Sequence, residues 1–149
     1  MKTPVVYWDE DLGVSQCVIT DSDGVAHVGA AKCSPKDQDM KSEKTGAAIA
    51  EMRAKIAYLK HERDNKIKPE LKALKKFWNI INKSKYYDAN SYPVQMLLRS
   101  IQRYENDLID NKNEINILKE NLHTYIEQKG IFYKKVREMR NANKQAENK

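Results

Sequence analysis

The chain has 149 residues, 40% of them apolar and 32% charged, with a formal net charge of +6. That length makes one domain, or one small globular module with an extended appendage, and the composition is lean for a compact globule and typical of long solvent-exposed helices. Two cysteines, Cys17 and Cys33, do not make a disulfide framework, the start MKTPVVYWDED has no apolar signal core, and no apolar run nears the roughly 18 residues that span a bilayer, so a cytoplasmic, reducing setting without membrane contact is expected.

In chain order, VVYWDEDLG, VSQCVITDSDG and VAHVGAAKC read as three short strands, making residues 1–41 a three-stranded antiparallel sheet with one buried face. Asp9, Glu10, Asp11 and Gly13 form the first turn, and DSDG signals a hairpin because Gly24 tolerates positive φ. Two registers fit that hairpin. A two-residue loop sets Cys17 and Ile19 opposite Val28 and Ala26, whereas a bulged three-residue loop pairs Val18 with Val28. Ser34, Pro35 and Asp37 have the layout of a helix-start cap, and Asp39 and Glu43 bring negative charge to the positive end of the main helix.

The first long helix is expected over residues 42–85. Its apolar positions run Ile49, Met52, Ile56, Leu59 and resume after Pro69 at Leu71, Leu74, Trp78, Ile81. The join through Arg63 and Ile67 takes two successive steps of four, a phase slip that coincides with the proline and predicts a kink or restart there. Residues 86–92 form the bend. A second long helix follows over 93–143, with Pro93 in its first turn and apolar residues stepping by three and four from Leu97 to Met139. Asn111 and Lys129 interrupt that seam, Gly130 is its weakest point, and residues 144–149 read as a disordered basic tail.

Charge is laid out in blocks. Residues 53–85 carry eleven basic and three acidic side chains, while residues 105–121 carry two basic and five acidic. A helical hairpin folded near residue 88 sets these blocks opposite each other and offsets Lys60, Arg63, Lys66 and Lys72. Two further basic groups stand apart: Lys32, Lys36, Lys41 and Lys44 around the sheet-to-helix joint, and Lys134, Lys135, Arg137 and Arg140 in the second long helix. Both can contact phosphates, with Tyr7, Trp8 and His27 as stacking surfaces.

Catalytic patterns are scarce. The sequence has no phosphate-cradling glycine loop, nucleophile elbow or zincin motif, and its three histidines fall on three different elements. Cys17, Cys33 and His27 lack paired-ligand spacing for zinc, and the acidic turns lack the ligand count of a calcium loop, so neither metal nor cofactor is expected.

The pattern G-x-A-x-C-x-P-x-D, here Gly29, Ala31, Cys33, Pro35 and Asp37, is followed by Gly46, Ile49, Ala50, Arg53 and Ala54. It resembles a segment found in small phage and prophage proteins of Gram-positive bacteria, over about a third of the chain, with Met40 where an aromatic is expected. The strand–loop–helix order is also similar to the end of a double-stranded-RNA-binding domain, without its leading helix. The phage resemblance implies a setting in which small basic or coiled-coil proteins bind host proteins or nucleic acid, some of them disabling defence systems such as CRISPR effectors.

The expectation is therefore an α+β protein, a small antiparallel sheet followed by a long antiparallel helical hairpin of coiled-coil type. Its expected function is that of a non-enzymatic phage-type binding protein, homo-oligomeric in the host cytoplasm, that occludes a surface of host nucleic-acid machinery or of a defence system. Direct nucleic-acid binding and an oligomeric coiled-coil adaptor are the alternatives. The eight basic residues of the joint and the second helix are the candidate contacts, and Leu108, Ile115, Leu118, Leu122 and Tyr125 the candidate oligomerisation seam.

Overall fold

The computed structural model describes residues 3–84 and 87–148, the side chain of Asp39 excepted. The chain is α+β: a three-stranded antiparallel sheet followed by helices. Strands β1 (Val5–Asp9), β2 (Val14–Thr20) and β3 (Ala26–Lys32) lie in sequence order. A 3-10 turn over Pro35–Met40 leads to α1 (Glu43–Glu62), a π-helical turn (Arg63–Ile67), α2 (Lys68–Asn82) and α3 (Tyr92–Glu147). None of the described helices is long and apolar enough to cross a membrane. The chain divides into two compact units, one of residues up to Ala57 and from Ile117 onward, the other Tyr58–Asn116.

In the first unit, Val18 pairs with Val28, so the hairpin takes the register of the three-residue loop. Asp21 N–H donates to the Val25 carbonyl, and Gly24 turns the chain at φ +83. The Asp21 carboxylate is buried there. It accepts the Asp23 and Val25 N–H groups at 2.9 Å each and hydrogen-bonds His27 Nε2 at 2.9 Å. His27 is thus a buried partner of the turn and not a stacking surface.

The buried face of the sheet follows the pleat: Ser15 opposite Ala31, Cys17 opposite Gly29, Ile19 opposite His27. Cys17, Ile19 and Ala31 pack with Ala50 and Ala54 of α1, and Ile49 closes the cluster. Burial pushes the Cys17 thiol up, with Glu51 adding to the effect and Lys55 opposing it. At Gly29 the helix and sheet backbones nearly touch. A Cβ there would stand 2.0 Å from the Ala50 carbonyl oxygen and 2.3 Å from Ala54 N.

In the second unit, Leu71 of α2 and Leu97 and Ile101 of α3 form a buried cluster flanked by Leu74, Trp78, Ile81, Tyr104 and Leu108. Lys75 pairs with Glu105 at 2.7 Å, an acid from the acidic block meeting a base from the basic block. Arg63, by contrast, is paired with its neighbour Asp64, which also takes Lys68. The Arg63 guanidinium, and then the Lys68 ammonium, hold the Asp64 carboxyl well below the usual carboxylate range.

The phase slip before Pro69 is taken up by the π-helical turn, in which the Lys68 N–H reaches back to the Arg63 carbonyl. A π-turn inserts one residue into the helical count and relieves the carbonyl that a proline ring crowds. Asn111, the polar interruption of the seam, is buried, and its Nδ2 donates to the Leu59 carbonyl at 3.0 Å.

Two boundaries differ from expectation by more than one residue. Residues 144–147, expected as disordered tail, continue α3 because no glycine or proline follows Gly130 to stop it. The first helix ends at Asn82 with Lys83 as its C-cap, so Ser84 lies beyond it. Lys85, Tyr86 and Lys149, assigned to the helix end, the bend and the tail, lie outside the described residues.

Candidate binding groove

The joint between sheet and helix is built from capping chemistry. Ser34 Oγ accepts the Lys36 N–H at 3.4 Å with Pro35 in the first turn of the 3-10 segment, and Ser42 Oγ accepts the Thr45 N–H at 3.2 Å where α1 starts. The Cys33 thiol donates to the Asp37 carbonyl at 3.2 Å, and Arg53 Nη1 donates to the Ala30 carbonyl at 2.5 Å. Gly46 sits over Ser15 and Trp8, where a Cβ would meet Ser15 Oγ at 2.3 Å. Each of these residues belongs to the pattern that carries the phage resemblance, or touches one that does. That pattern is a packing signature, setting a helix onto a sheet at backbone distance.

The C-terminal third of α3 lies against this joint. Arg137 forms an ion pair with Asp37, 100 positions away in sequence. Between them opens a groove of about 190 Å³ walled by Trp8, Gly46 and Ile49 on one side and Ile126, Lys129 and Tyr133 on the other. It continues along Met40, Phe132, Val136 and Arg140, sharing Ser42, Thr45, Lys129 and Tyr133 with the first stretch. Lys129 lays its ammonium 5.5 Å from the centre of the Tyr125 ring, which accounts for a charged residue at a seam position.

The predicted contact residues divide accordingly. Lys32 stands on the groove's rim and Arg140 lines its extension. Lys36, Lys44, Lys134 and Lys135 are exposed. Lys41 is engaged: its stem covers Gly13 and its Nζ donates to the Glu10 carbonyl at 2.6 Å, closing the β1–β2 turn. Arg137 is likewise held by Asp37. Of the proposed seam, Ile115 is buried within the chain and Leu108 packs on the Leu71 cluster, while Leu118, Leu122 and Tyr125 are half-buried.

Sequence reasoning missed the α3 wall, Lys129, Phe132 and Tyr133. The available signal was Lys129, a charge at a seam position directly before the only glycine of the second half. Chemically the groove offers hydroxyls, one thiol, ammonium groups and aromatic faces, and its one carboxylate among the described residues, Asp37, is occupied by Arg137. Such a set holds a ligand by burial and charge. At about 190 Å³ the first stretch is smaller than the roughly 300–1,000 Å³ of small-molecule pockets and suits an inserted side chain.

No protein-family model matches the chain, and no curated protein or solved structure shows significant similarity to it.

Proposed function

We propose that the chain is a non-enzymatic binding protein of phage type that seats a segment of a host protein in the groove between the joint and α3, occluding a surface of nucleic-acid machinery or of a defence system. The observation that carries this reading is the groove itself, whose apolar floor is exposed to solvent and edged by Lys32, Lys129 and Arg140. An aromatic or aliphatic anchor beside an acidic residue is the chemistry that complements it. The helices of the second unit are read as an antiparallel helical hairpin, with Leu71, Leu97 and Ile101 as its seam. The adaptor reading loses ground because Leu108 and Ile115 are already packed inside one chain. Direct nucleic-acid binding by the joint and the C-terminal run is weakened, since Lys41 and Arg137 are tied down.

The test is affinity capture from a nuclease-treated lysate of a Gram-positive host, followed by mass spectrometry. The expected result is a protein retained by the wild type and by Lys72→Glu/Lys76→Glu, and lost with Tyr133→Ala/Lys129→Glu. Capture indifferent to the groove variant would overturn the proposal.

A further inference from the structure

The outer surface of α2 is divided lengthwise. Leu71, Leu74, Trp78 and Ile81 face the cluster with α3, and the rest of the helix is exposed. On that exposed side Lys72, Lys76, Asn79 and Lys83 follow one another by steps of four, three and four, a single file with one polar group per turn, about 5.4 Å apart. Lys68, Lys75 and Asn79 line the same shallow cleft with Lys72 and Lys76. Lys68 is countered by Asp64 and Lys75 by Glu105. Lys72, Lys76 and Lys83 have no ion pair among the described residues. Glu70, the only acid of α2, is two positions from Lys72 and therefore on another face. Ile80, four positions after Lys76 and three before Lys83, borders the row and is 63% exposed, whereas Phe77, 55% exposed, stands seven positions after Glu70 and shares its face.

We infer that this side of α2 binds the phosphate backbone of nucleic acid through Lys72, Lys76 and Lys83. The charge is complementary to a polyanion in sign and in its linear layout. A nucleic-acid strand offers an unbroken line of anions, about one per 3.4 Å of axis in a duplex strand, so every turn of the helix passes a phosphate. An acidic protein surface has no such regular line. Asn79 adds a neutral donor of the type that contacts phosphate oxygens. An anionic bilayer fits less well, since Phe77 and Ile80 are the only large apolar side chains this helix exposes. The inference does not rest on the groove, which lies in the other unit.

The experiment is fluorescence anisotropy on the full chain with a labelled thymidine oligomer of about 20 nucleotides, titrated from about 50 to about 200 mM salt. The wild type should bind, with affinity falling steeply as salt rises. Lys72→Glu/Lys76→Glu should lose at least about tenfold, and Lys72→Gln/Lys76→Gln should reduce the slope of log K against log salt by about 1.4, the share of two phosphates on a single strand. Lys134→Glu/Lys135→Glu and Tyr133→Ala should bind like the wild type. Absence of binding at low salt, an equal loss in the Lys134/Lys135 variant, or equal competition by polyglutamate would each overturn it. All substituted side chains on α2 are exposed, so helical circular dichroism should be unchanged; if the glutamate pair unfolds the chain, the glutamine pair decides.

Discussion

Where α1 meets β3, the contact is backbone on backbone, with Gly29 against Ala50 and Ala54 and no side chain between them. Where α2 meets α3, Leu71, Leu97 and Ile101 interdigitate with Trp78 and Tyr104 alongside. The first arrangement buries little apolar area per residue and tolerates no added atom. The second buries large side chains that can shift rotamers to absorb a change. One chain thus holds a sheet–helix unit by exclusion and a helix pair by volume. The comparison also says where sequence patterns are diagnostic, because a glycine at a backbone contact has no substitute and a leucine in a cluster has several.

The sharpest way to break this contrast is Gly29→Val. Its side chain would collide with the α1 backbone, and we expect a loss of more than about 3 kcal/mol in urea unfolding, or failure to fold. If Gly29→Val unfolds like the wild type, the backbone contact is not what holds the first unit. Next in size is Ile101→Ala in the second unit, expected to cost about 2–4 kcal/mol for the cavity it leaves, while Leu71→Met, which conserves volume, should cost less than about 1.5 kcal/mol. Thermal melts of the two variants compare them directly.

A smaller effect should follow from Arg137→Gln. The ion pair with Asp37 is partly exposed, so about 0.5–1 kcal/mol is expected, vanishing in an Asp37→Asn background and shrinking with salt. A double-mutant cycle that finds no coupling would detach α3 from the joint. The smallest effect has the opposite sign. A Cβ at Gly130 meets nothing within 4 Å, so Gly130→Ala should stabilise the chain by about 0.5–1 kcal/mol, read as a raised melting temperature.

Much of the fold was legible in order along the chain. The three strands were read from β-rich runs between turn residues, the long helices from their three-and-four steps, and the π-turn's position from the phase slip at Arg63–Ile67 before Pro69. The hairpin register stayed open between two alternatives, because both loop lengths satisfy the same turn residues. The structure chose the one in which Cys17 faces Gly29 and leaves room for α1. The candidate site was legible only in part. Joint lysines could be counted, but their employment could not: Lys41 closes a turn, and Lys36 and Lys44 are exposed. Lys72, expected to be offset by the acidic block, has no ion pair among the described residues.

What the sequence determined by itself is local: caps at Ser34 and Ser42, turns at Gly13 and Gly24, and the periodicity that writes each helix. These depend on backbone sterics and on hydrogen bonds within a few residues, so their causes lie within the segments that show them. Only the tertiary structure decided that Asp37 meets Arg137, that Trp8 and Tyr133 face each other across a groove, and that Lys72 and Lys76 have no ion pair among the described residues. Those outcomes follow from packing between segments far apart in the chain, where helix rotation by one residue, about 100°, moves a side chain from a groove to solvent.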